Sequence, residues 1–178
     1  MDAHLRAGVA VYNEGEYHGA HDAWEELWLD LAAGTDDERF LHGLIQFTAA
    51  VFHARYGNWA GAVGLADSGR EYLRDLPGDY RRVNVDAARS YLAALEADPE
   101  RIERARPPAL RVDGDALLYD DLSFDAAVIA AGVLAAEHGY DESRREEAAS
   151  FALANLGDDG APGFETLVVE FLRGSAEH

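Results

Sequence analysis

The sequence predicts an all-α fold, an N-terminal helical bundle with an α-rich C-terminal extension that can include a short β-hairpin. Three observations carry that expectation. Apolar residues recur at three- and four-residue spacing along most of the chain. Glycine and proline breaks at Gly34, Gly57, Pro77-Gly78 and Pro107-Pro108 separate those stretches. Alternation of period two is confined to a few residues around Asp113-Gly114.

Residues 3–12 read as a short helix or an extended arm. The first well-marked helix is expected over about 14–33, with Asn13 as its cap and Glu16 in the capping-box position. Gly15 and Gly19 weaken its first turns. Tyr17, Ala20, Trp24, Leu27 and Leu31 share one face, His21 and Trp28 lie at its margin, and Glu25 and His18 stand just beyond. Asp22, Glu26 and Asp30 are expected to point elsewhere. Thr35 or Asp36 caps a second helix over about 37–56, which is apolar around almost its whole circumference, as a central helix should be. A third helix over about 59–75 carries Ala62 and Ala66, small enough for close helix approach. Asn84 or Asp86 caps a fourth, whose stripe is Val85, Ala88, Tyr91, Leu92 and Leu95.

Residues 98–108, charged and closed by Pro107-Pro108, are the expected linker between a bundle over 1–97 and an accessory extension over 109–178 packed on it. Asp113-Gly114 signals a hairpin, which must pack on a helix to be stable. Helices follow over about 124–138, from Asp141 or Ser143 to about Leu156, and over 164–173. Phe164, Leu167, Val168 and Phe171 on the last of these either cover their own domain or offer a homo-oligomer contact.

Composition narrows the function classes. Without cysteine, disulfides, thiolate chemistry and cysteine-ligated metals are excluded. No run is long and apolar enough for a membrane span, and the N-terminus lacks the pattern of a signal peptide, so a cytoplasmic protein without a membrane partner is expected. The formal charge is −19 and every basic residue is arginine, which disfavours nucleic acid as a partner. This lysine-free acidity resembles halophilic archaeal proteins, whose self-repulsion high salt would screen.

The chemistry-bearing residues cluster in the first two predicted helices. His21 and Glu25 are four apart and face the same way. On the next helix His42, Gln46 and His53 fall on nearly one line. If these helices run antiparallel, His21 meets His53 more naturally than His42. Two readings stand. In the first, the His/Glu/Gln/Trp residues form a buried structural polar network, with Gln46, Trp24 and Trp28 supplying partners. In the alternative, His21, Glu25 and His53 hold zinc, iron or manganese, with water or His42 in a fourth position. The zinc-protease motif is absent, HDxxE standing in its place, and no phosphate-binding glycine loop or serine-hydrolase constellation occurs. These residues name no reaction, no substrate and no small-molecule ligand. Asp36, Asp37 and Glu38 read as acidic first-turn residues on a solvated face. Arg55, Arg70 and Arg74 read as partners of nearby carboxylates rather than an anion pocket.

One stretch carries a resemblance. Tyr12-Asn13, Gly15, Tyr17, Ala20-His21-Asp22, Glu25 and Trp28 resemble the signature of an uncharacterised all-α family, domain of unknown function 309. That signature has an aromatic-Asn-x-Gly start followed by AHExxExxW, and Asp22 here replaces its usual glutamate. Leu44-Ile45-Gln46, Phe52-His53, Gly57-Asn58, Gly61-Ala62 and Val85-Asp86 extend the resemblance over about residues 10–97. It implies a compact helical bundle and marks the His/Glu/Trp constellation as a functional candidate. It brings no substrate or reaction with it.

Overall fold

A computed structural model describes residues 1–137 and 139. The helices expected beyond Gly139 lie outside the described residues. The order is α1 (Asp2–Asn13), α2 (Tyr17–Trp28), α3 (Asp36–Arg55), α4 (Trp59–Leu73), α5 (Val85–Ala97), the one-turn α6 (Arg101–Arg104), β1 (Arg111–Val112), β2 (Asp115–Ala116) and α7 (Phe124–Glu137).

The N-terminal arm is a full helix, and the segment expected as one helix over 14–33 begins only at Tyr17 and ends at Trp28. Gly15 explains the first difference. It lies at φ +98°, and the bonds from Gly15 N to Tyr12 O and from Glu16 N to Val11 O form a Schellman motif that closes α1. Gly15 is therefore the stop of one helix and not a weak turn inside the next. Gly57 ends α3 in the same way, at φ +73° with bonds to Ala54 O and, from Asn58 N, to His53 O.

α3 occupies the centre, packing against α2, α4 and α5. Phe40, Leu41, Leu44, Phe47 and Val51 are fully buried on it, so its apolar circumference reflects neighbours on several sides. Thr35 caps it, accepting from Glu38 N at 3.2 Å. Ala62 and Ala66 are buried where α4 meets α3. Trp24 is wholly buried and donates its indole N–H to Leu5 O at 3.3 Å, because α2 crosses α1 at Gly8. A Cβ on Gly8 would overlap the indole ring.

The ribbon forms as expected, with Asp113 and Gly114 both at positive φ in its turn. Asn13 and Asn84 hold it to the bundle. Asn13 Nδ2 donates to Leu110 O at 2.8 Å and to Leu117 O at 2.9 Å, and Leu110 N donates back to Asn13 Oδ1 at 2.9 Å. Asn84 heads α5, but its side chain bonds Ala109 O and Arg111 N rather than capping the helix. Tyr12 adds a bond from its hydroxyl to Pro108 O at 3.0 Å. α7 then packs across α1 and α2. α7 meets the buried first turn of α2 at Gly19, where a Cβ would stand 3.0 Å from Glu137 Oε2. No helix among the described residues is long and apolar enough to cross a membrane.

Candidate metal centre

α2 buries Tyr17, Ala20, Ala23 and Trp24 against the core. That choice of face leaves His18, His21, Asp22 and Glu25 as a stripe at i, i+3, i+4 and i+7, neighbours on the helix surface. His21, Asp22 and Glu25 each offer a ligand atom within 4.8 Å of the other two, all three half-buried. Asp22, expected to turn toward solvent, is the centre of the stripe. Its short side chain brings Oδ1 to 3.1 Å from His21 Nδ1 and Oδ2 to 3.5 Å from His18 Nδ1. The bond to Asp22 raises the pKa of His21 above its ordinary value, against the opposing effect of burial and with help from the Glu25 and Asp22 charges.

The antiparallel course of α2 and α3 puts His18 beside Phe52 at one end, ring centroids 6.1 Å apart, and Trp28 beside His42 at the other, 4.6 Å apart. His53 is not a member of the His21 group. Asn58 Oδ1 caps α4 by accepting from Gly61 N, so its amide N–H is free to donate to His53 Nδ1, at 2.6 Å. That bond engages His53 at the α3–α4 turn. Gln46 is half-buried, its Cβ directed at Gly69 of α4.

His42 lies against the Tyr72 ring, with centroids 3.8 Å apart and planes within 25°, and Trp28 covers it from α2. Beside them stands Glu38, which is engaged here and does not lie on the solvated face expected for it. Glu38 Oε1 accepts the Trp28 indole N–H at 2.9 Å and lies 3.6 Å from His42 Nδ1, while Oε2 accepts from Gly34 N at 3.2 Å. The Trp28 bond is the main cause that holds its carboxyl below the usual range. Asp37 is likewise engaged, accepting from Tyr80 Oη at 2.8 Å and from both ends of the Arg81 guanidinium. The spacing of Thr35 and Glu38, three apart, was the signal available for Glu38. Nothing local pointed to Asp37 and Arg81, which are brought together by the turn between α4 and α5.

A polar concavity, about 380 Å³, lies between α4 and α5 and is lined by Arg70, Arg74 and Arg89 together with Asp67, Glu71 and Asp86. Its guanidiniums are committed. Arg70 pairs with Glu96, Arg74 with Glu71, and Arg89 with Asp86 and with the carbonyls of Leu73, the last residue of α4, and of Leu76 just beyond it. Arg55 instead sits over the Tyr17 ring at 5.8 Å. The stripe on α2 is thus the more open set of donors.

Fold and stripe together define a class, a helical bundle that presents a mixed imidazole–carboxylate cluster on its second helix. Residues 5–65, which run through α1, α2, α3 and the first half of α4, match the model of the family described as Domain of unknown function (DUF309). The stripe and Trp28 both fall inside the match, which ends short of the residue 97 reached by the motif resemblance. No curated protein matches the chain.

Proposed function

We propose that this domain binds a divalent cation through His21, Asp22 and Glu25, and that the neighbouring Trp28, Glu38 and His42 serve to seat α2 on α3. The single observation that carries the reading is the convergence of one imidazole and two carboxylates within 4.8 Å on a half-buried helical surface. One nitrogen and two oxygens from the protein leave coordination positions for water, a donor set that suits zinc, manganese or ferrous iron. Asp22 takes the place that the helix spacing gives to His53. The formal charge of −19 supports the same reading, since an acidic surface concentrates cations and repels the phosphates of nucleic acid. It also supports a chain suited to high salt. Binding is the function proposed; no reaction is assigned to it.

A purely structural role is favoured for the other half of the constellation by the bonds that already engage Glu38 and Trp28. The two roles separate experimentally. Calorimetric titration of tag-free protein with Zn²⁺ and with Mn²⁺ is expected to show saturable binding. His21→Ala and Glu25→Gln should each weaken it at least tenfold, while His42→Ala lowers the melting temperature and leaves affinity in place. Absence of saturable binding to the native protein, or affinity indifferent to His21 and Glu25, overturns the proposal.

A further inference from the structure

The stripe on α2 contains two overlapping four-residue pairs, His21 with Glu25 and His18 with Asp22, and only the first is used fully by a single cation. Asp22 aims one oxygen at each histidine, Oδ1 at His21 and Oδ2 at His18. A carboxylate divided in this way is the arrangement that bridges two ions. The position on the His18 side has a donor from another helix, for Glu137 Oε1 of α7 lies 3.9 Å from His18 Nδ1.

Resting on the cation reading of His21, Asp22 and Glu25, we propose that the centre is dinuclear: Asp22 bridges, and His18 and Glu137 complete a second cation position between α2 and α7. Geometry supports this in two ways. Two ligands bound to one ion at about 2.1 Å stand about 3.0 to 3.4 Å apart at ordinary ligand angles. The His18 contacts at 3.5 and 3.9 Å are too long for hydrogen bonds and lie just outside that span. Closing them around an ion also requires side-chain rotation that brings the Asp22 and Glu137 carboxylates together, since among the described residues the ligand atoms of His21, Asp22 and Glu25 are the ones already within 4.8 Å of one another. α7 approaches α2 closely here, for a Cβ on Gly19 would stand 3.0 Å from Glu137 Oε2 and 3.4 Å from a Leu134 methyl. Two ions joined by one carboxylate would sit about 3.5 to 4 Å apart, the spacing at which a pair clamps an oxygen anion such as a phosphate or carboxylate group. The ligand class expected at this centre is therefore a small oxyanion, held by the two cations despite the acidic surface around them.

The experiment is a stoichiometry measurement on the full chain with Mn²⁺, read by equilibrium dialysis and by electron paramagnetic resonance. The native protein is expected to take up two equivalents and, on filling the second, to show the broadened spectrum of a spin-coupled pair. His18→Ala and Glu137→Gln should each reduce uptake to one equivalent and restore an isolated-ion spectrum. His18 is more than half exposed, so its loss should leave the fold intact, which the unchanged helical circular dichroism would verify. One equivalent in native protein, insensitive to both substitutions, overturns the dinuclear proposal while leaving the single site in place. No uptake at all overturns both.

Discussion

Glu38 takes two hydrogen bonds and faces an imidazole from the first turn of α3, and its neighbour Asp37 holds Arg81 and Tyr80. Both carboxyls are depressed, Glu38 chiefly by the Trp28 bond and Asp37 chiefly by the Arg81 bond. A depressed folded-state pKa stabilises the protein above the unfolded value, about 4 for a carboxyl, and the stabilisation disappears as pH falls through the lower folded value. Glu38→Ala removes the acceptor of a half-buried indole N–H and one Gly34 contact, and is expected to cost about 2 kcal/mol. Thermal melts of the variant at pH 7 should show that loss, and the gap to the native protein should narrow as both are taken into acid. A variant as stable as native at pH 7 would mean that Trp28 finds another acceptor. At this scale Trp28 was legible as a motif residue, whereas its partner was hidden among three consecutive acidic residues whose types are interchangeable in a helix's first turn. Asp22 was misplaced for a related reason: helix periodicity assigns directions to Cα–Cβ bonds, and a short carboxylate can still reach the histidines beside it and a turn before it.

Helix limits were readable where a cap or stop had one interpretation. Thr35, Asn58 and Gly57 bound α3 and α4 close to the expected positions, and Asp113-Gly114 gave the hairpin turn. Asn13 had two interpretations. An asparagine two residues before a glycine fits the start of one helix as well as the end of another, and only the long-range contact with residues 110 and 117 decides between them. Its three bonds to the ribbon are the chief side-chain link from α1 to the segment beyond residue 108. Asn13→Ala would leave the buried Leu110 amide and carbonyl without their partners, at a cost of about 3 kcal/mol. We propose that residues 98–108 divide the chain into a bundle and an accessory extension. On that view the same variant should be cut faster by protease within 98–108, with the melting temperature falling in step. Unchanged stability and cleavage would assign the attachment of the ribbon to Asn84 and apolar packing instead.

For the molecule as a whole, the all-α architecture followed from periodicity because most of its core comes from amphipathic helices packed around α3. The cluster was only partly legible for a geometric reason. His21 and Glu25 are four apart in one helix and could be paired by counting, but the third member depended on the direction a short side chain takes from its Cβ. Asp22 turns back to its neighbour His21 within α2, while Asn58 engages His53 across the α3–α4 turn. On the proposed reading, the acidity of the chain acts as a field that draws cations toward this stripe. Crystals of the full chain soaked in Zn²⁺ test this most directly, by anomalous diffraction at the zinc edge. The expected result is a peak about 2.0 to 2.2 Å from a His21 ring nitrogen and from carboxylate oxygens of Asp22 and Glu25. Strong peaks only elsewhere on the acidic surface, with the α2 stripe empty, would contradict it.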